Sequence, residues 1–188
     1  MRAEAVARFG STIVGYSGTW MPSLEVQIIE GGMGDFILVT GPGTDGQPVP
    51  LSITCETDRD RDGEVVWRPG GMRETFNTTN RKRVNWFGRD PDWKDEIGFR
   101  GPKDVDSPLG QWTRFDVICD GDHVAVYVNG VKVNEAFQVS PSAGKLQLQT
   151  ELAEIFIRKW ELRPLTPEPR HIATTPVPRF DAGWQKRH

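Results

Sequence analysis

The strongest constraint on what this chain can fold into lies between Leu109 and Glu135, LGQWTRFDVICDGDHVAVYVNGVKVNE. Phe115, Val117 and Cys119 share one phase of a period of two, and Asp120-Gly121-Asp122 then turns the chain. Val124, Val126 and Val128 repeat the pattern, and Asn129-Gly130 leads into Val131-Lys132-Val133. A period of two places alternate side chains on opposite faces of a strand. Asn-Gly between two such runs is a strong hairpin signal, because a type I′ turn needs positive φ at both central residues. The stretch therefore predicts an antiparallel meander with one dry face, and that face needs a second layer to cover it.

The rest of the chain supplies more of the same material. Ser11 to Tyr16 predicts a brief strand, and Trp20-Met21-Pro22 a corner. SLEVQIIE, Ser23 to Glu30, predicts a clear strand with Leu24, Val26 and Ile28 on one face and Glu25, Gln27 and Ile29 on the other. A glycine-rich turn, Gly31-Gly32-Met33-Gly34, joins it to a return strand, Asp35 to Thr40. Leu51 to Thr57 is a further candidate strand. Asp58 to Asp106 shows weak periodicity, and its alternating charges at 58–62 suit a solvated surface. A loop region of about 58–108 is too long for an idle connection, so it is functional or contains short elements. Leu146 and Leu148 alternate with Lys145, Gln147, Gln149 and Glu151. Glu154 to Leu162, EIFIRKWEL, predicts a final strand before Pro164. No stretch holds a helical period over three turns. The expectation is an all-β sandwich of two antiparallel sheets in a single domain, 1–165, followed by a Pro-rich extended or disordered tail, 166–188.

Length and composition fit one domain. A chain of 188 residues can bury a core without disulfide staples. Its formal net charge of −3 offers no basic footprint, so no nucleic-acid partner is expected. No apolar span reaches the length of a transmembrane helix, so no membrane partner is expected either. The N-terminus lacks a clear signal-peptide pattern. Cys55 and Cys119 admit a disulfide, but spacing alone does not establish the geometry. His123, His171 and His188 show no zinc spacing. The seven tryptophans serve either packing or sugar stacking.

The polar phases of the strands are selective. Glu25 and Gln27 share one strand, Gln147, Gln149 and Glu151 another, and Arg158 lies on the last predicted one. Amides and carboxylates on one curved face can bind sugar hydroxyls in bidentate fashion. A plainly solvated face is the other reading. Glu25 and Glu151 form a candidate acid–base pair. Arg100 and Lys103, in GFRGPKD, suit stabilisation of an oxyanion or enolate, with an ordinary surface turn as the alternative. No nucleophile elbow, zincin motif or phosphate loop is present.

These stretches together resemble a known family. GFRGPKDVDSPLGQW, TRFDVICDGDHVAVYVNGVKVNEA and GKLQLQTELAEIFIRKWELRPL occur in the order found in the 3-keto-disaccharide hydrolase domain family, and WMPSLEVQIIEGGMGDF is similar to its Glu-x-Gln strand and Gly-Asp turn. The resemblance covers more than half of the chain. It implies a concanavalin- or laminin-G-like jelly roll and action on 3-keto-glycosides by elimination and hydration. It carries over Glu25 and Glu151 as catalytic residues, and Gln27, Asp35, Gln149 and Arg158 as substrate contacts, beside Arg100 and Lys103. It leaves room for a divalent metal ion, with no ligand assigned, and suggests an extracytoplasmic location. A non-catalytic carbohydrate-binding module, with Trp20, Trp86 or Trp112 as platforms, is the alternative.

The chain departs from the family at Gln111, Thr113 and Leu152, where Glu, Asn and Gly are usual. Family members also usually carry strands ahead of the region matching 9–20, so the expectation is a domain lacking N-terminal strands. Its exposed edge would then be covered by the C-terminal segment or by a second copy in a homo-oligomer.

Overall fold

The computed structural model describes residues 2–8, 21–43, 45–80, 83–94, 96–150 and 155–165. The described part is all-β, with two antiparallel sheets facing each other. The first sheet contains β1 (Arg2–Arg8), β2 (Ser23–Ile29), β3 (Phe36–Val39), β7 (Arg83–Val84) and β11 (Lys145–Thr150), in the order β11-β1-β2-β3-β7. The second contains β4 (Ser52–Arg59), β5 (Val65–Trp67), β6 (Met72–Asn77), β8 (Phe115–Asp120), β9 (His123–Val128) and β10 (Val131–Ser140). Its path is β5-β4-β10-β9-β8, with β6 on the other edge of β4.

The meander folds as its alternation dictates. Phe115, Val117 and Cys119 pair with Val128, Val126 and Val124. The three valines, with Val133 and Ala136, are buried against Leu24, Val26, Phe36 and Leu38 of the first sheet. Asn129 and Gly130 both have positive φ, 49° and 82°, as the Asn-Gly turn requires. Cys119 keeps its phase but is exposed at the strand end, and Cys55 is buried in the core. Both are free thiols, so the disulfide considered above does not form.

A second bond between the layers is polar. Asn134, fully buried on β10, donates from Nδ2 to the carbonyls of Gly34 at 3.0 Å and Val84 at 3.2 Å. Both acceptors belong to the opposite layer, so this amide staples the sheets. Asn134→Leu should destabilise the protein by about 1–3 kcal/mol, because two buried carbonyls lose a donor. A chemical denaturation midpoint equal to that of the wild type would contradict this role.

Three expectations are resolved. First, the short elements allowed for within 58–108 are there: β5, β6 and β7 lie in it, and Asn85 makes a parallel bridge to Val66. Trp67 N–H donates to the Asn85 carbonyl at 2.8 Å, and Asn85 N–H to Val65 at 3.0 Å, tying the sheets along one side. Strands of two to six residues are too short to show periodicity. Second, residues 155–165 form no strand, and Phe156, Trp160 and Leu162 are exposed. Alternation decides which side chains share a face; it does not supply a neighbouring edge to pair with. Third, residues 2–8 form β1, between β11 and β2, so a strand does precede the region matching 9–20. Its Ala-rich sequence has weak strand propensity. The strand expected at 11–16, Trp20 and the tail 166–188 lie outside the described residues. Among the described residues, no helix is long and apolar enough to cross a membrane.

The charge alternation at 58–62 is also more than solvated surface. Arg89 lies 3.8 Å from both Asp60 and Asp62 and pairs closely with Glu64, which also accepts from Asn85 Nδ2 at 2.9 Å. The Asn85 hydrogen bond, then Arg89, hold the Glu64 carboxyl below its ordinary 4.5. A carboxyl with a lowered folded value contributes stability above its unfolded value and loses it as pH falls through the folded one. Glu64→Gln should therefore lessen the loss of stability on acidification from about pH 6 to about pH 3. An unchanged acid limb in denaturation series across that range would refute the pairing.

Candidate functional site

The outward face of the first sheet collects the polar residues that the sequence singled out. β1 is the middle strand of a three-strand register. Position 4 pairs with Gln27 on β2 and with Gln149 on β11, and position 6 pairs with Glu25 and with Gln147. The first row continues to Asp35, whose carbonyl accepts from Gln27 N–H at 3.0 Å. The second continues through Ile37 on β3 to Arg83 on β7. Neighbouring strands lie about 4.8 Å apart, so each row spans the sheet in steps of that size. The opposite phase carries Leu24, Val26, Phe36 and Leu38 into the core.

Glu25 is only 8 % exposed and accepts a close hydrogen bond from Gln27 Nε2. The two side chains stand at i and i+2 on one strand, which is why they meet on one face. Both make further interactions as well. Gln147 and Gln149 are half-buried at the β11 end.

Asp35 occupies the turn side of β3 and is 1 % exposed. One carboxylate oxygen accepts the Trp86 backbone N–H at 2.7 Å. The other accepts from Arg83, through Nε at 3.2 Å and through Nη2 more closely. Burial pushes the Asp35 carboxyl upward, and Arg83, its hydrogen bonds and the Trp86 N–H pull against it. Gly32 leaves no room beside this pair: a Cβ there would lie 2.9 Å from Asp35 Oδ2 and 3.4 Å from Arg83 Nη2. The neighbouring Gly31 has φ +72°, and a Cβ there would lie 2.0 Å from the Trp93 ring. Gly31→Ala should thus cost about 1–3 kcal/mol through strain and displacement of Trp93. Thermal unfolding indistinguishable from wild type would contradict that contact.

Four of the anticipated residues, Glu25, Gln27, Asp35 and Gln149, therefore share one face. Glu151 lies outside the described residues. Arg100 is tied within its own loop, donating from Nη2 to the Asp106 carbonyl at 2.7 Å and pairing with the Asp106 carboxylate at 3.5 Å. Lys103 is exposed on that same loop. Arg158 lies over Trp112, with its guanidinium carbon 5.2 Å from the ring centroid. The cation that does stand in the Glu25 row is Arg83. Its phase opposite the buried Val84 and Trp86 was a visible signal, but a strand of two residues offers too little alternation to act on.

The stacking platforms fare less well. Trp86 is buried in the core, Trp112 carries Arg158 on its ring, and Trp20 lies outside the described residues. On the second sheet, Phe137 is stacked by His123 at 5.0 Å and has the Arg73 guanidinium over its ring at 5.0 Å, so the ring is already engaged by two side chains. His123 and Lys132 in turn meet Glu135 Oε1 at 2.9 and 2.8 Å. Among the described residues, no group of three or more His, Cys, Asp or Glu is placed to hold a metal ion. The described donor set does not fit one.

Two antiparallel sheets, with carboxylates and amides gathered on one outer face, place the chain in the class of β-sandwiches that carry a polar sheet face. Residues 13–163 match the 3-keto-alpha-glucoside-1,2-lyase-like domain, and the chain belongs to that family. Its function is accordingly related to carbohydrate. No curated protein and no solved structure matches the chain.

Proposed function

We propose that the protein cleaves 3-keto-glycosides by elimination followed by hydration, with Glu25 and Glu151 as the acid–base pair. The observation that carries this reading is the register placing Glu25 and Gln27 on the same outer face as Gln149, in a chain of this family. A ketone at C3 acidifies the hydrogen at C2. A carboxylate removes that proton, and the electron pair delocalises onto the C3 oxygen as an enolate. Collapse of the enolate forms the C1–C2 double bond and expels the C1 oxygen, which a carboxylic acid protonates. Addition of water across C1–C2 then releases the 3-keto sugar, so the overall change is hydrolysis. General acid–base help in such a step contributes about 10²–10⁴-fold. Gln27 and Gln149 would orient sugar hydroxyls through their paired donors and acceptors.

The test is incubation of the full chain with a 3-keto-glucoside and with its parent glycoside, following aglycone release. Release from the keto compound alone is expected. It should be lost in Glu151→Gln and retained in Glu154→Gln. Release from neither substrate, with and without added divalent metal ions, would overturn the enzymatic reading.

A further inference from the structure

We infer that Arg83, held by buried Asp35, is an oxyanion-binding group at the β7 end of the outer face, where it receives a negatively charged oxygen attached to C3 of a sugar. Three observations converge on it. Arg83 stands in the same register row as Glu25, through Ile37, so its side chain emerges on the face that carries Glu25 and Gln27. Its head group is drawn toward Asp35, the next position along the row of Gln27. The side chain is 50 % exposed although its partner Asp35 is 1 % exposed, so the pair reaches from the interior to the open surface.

The hydrogen bonding is one-sided. Arg83 gives Nε and Nη2 to the same Asp35 oxygen, and Nη1 has no partner among the described residues. An arginine pinned along one edge keeps a planar fork of donors on the other, already oriented for an oxyanion. The second Asp35 oxygen is taken by the Trp86 N–H, so the carboxylate cannot swing away from its position. The Gly31-Gly32 turn closes the near side: the Trp86 indole N–H donates to the Gly31 carbonyl at 2.9 Å. Such preorganised donors bind developing negative charge without reorganising when it appears. In the proposed reaction that charge is the C3 enolate; this last assignment rests on the reading of the reaction above, whereas the oxyanion position rests on the geometry alone. Arg100 and Lys103 were the cations expected for this task, and neither shares the face with Glu25 through the strand register.

The experiment compares calorimetric binding of glucose 3-sulfate and of glucose to the full chain. Wild type should bind the sulfate about ten- to a hundredfold more tightly, the worth of a charge-assisted hydrogen bond. Arg83→Gln should abolish that preference. Because Arg83→Gln strands a buried carboxylate, the neutral double variant D35N/R83Q is measured beside it and should also show none. Arg83→Lys should restore part of the preference, which a purely structural role would not do. A wild type without preference, or a folded double variant that keeps it, overturns the inference. Cleavage of the 3-keto-glucoside is followed in parallel. Preference with no cleavage would leave the oxyanion position standing and remove the reaction, whereas unchanged cleavage in D35N/R83Q would remove the catalytic use of Arg83.

Discussion

Trp86→Ala is expected to cost about 3–5 kcal/mol of folding stability, a large share of the roughly 5–15 kcal/mol that holds a typical domain together. Trp86 is 1 % exposed and sits where the sheets are tied along one side. Its ring meets Phe87 edge-on at 5.1 Å and 73°, and Gly88 lies so close that a Cβ would fall 2.2 Å from the indole. Truncation would therefore open a cavity that the packed backbone around it cannot collapse to fill. It would also leave the Gly31 carbonyl without its indole donor. Trp86→Phe separates the two effects, since it keeps a ring and removes the N–H, and should lose about 1–3 kcal/mol. Chemical denaturation at equilibrium measures both. A Trp86→Ala variant within about 1 kcal/mol of wild type would show that the indole is not holding this corner.

The second large effect is on turnover. Glu25→Gln should lower kcat for 3-keto-glucoside cleavage by about 10²–10⁴-fold, because the amide cannot accept or return a proton. The replacement is close to isosteric, and Glu25 already meets an amide, Gln27 Nε2. The new side chain can offer its own carbonyl to that donor, so thermal stability should change little. Gln27→Ala is the useful contrast, since it should raise KM more than it lowers kcat if Gln27 binds hydroxyls equally in ground and transition states. Undiminished kcat in a folded Glu25→Gln variant would remove Glu25 from the proton-transfer role and leave Glu151 as the remaining carboxylate of the pair.

Much of this architecture was legible in the residues. The valine alternation from Val124 to Val128, the Asn129-Gly130 turn and the Leu24/Val26 phase opposite Glu25/Gln27 identified strands, faces and the hairpin. Each depends only on near neighbours in the chain, where a period of two and a positive φ leave few options. The family resemblance likewise followed the order of local motifs. Elements without a local signature escaped. β5, β6 and β7 are short and held by partners far away in sequence, and β1 is rich in alanine, yet it is the strand that brings Gln149 into the row of Gln27.

The sequence by itself determined which residues could be core and which could be polar face, because side-chain direction along a strand is a property of the backbone. Only the tertiary structure decided which polar residues meet. Glu25 and Gln27 were paired from the start by their spacing of two. Which cation joins them depends on strand order: β3 pairs with β7 across a long intervening segment, and that pairing puts Arg83 in the Glu25 row while Arg100 stays bound within its own loop. Asp35 could be named from its motif, but its burial beneath Arg83 and its grip on Trp86 come from segments about fifty residues downstream. Contacts across that distance are set by how sheets pack, and no local pattern encodes them.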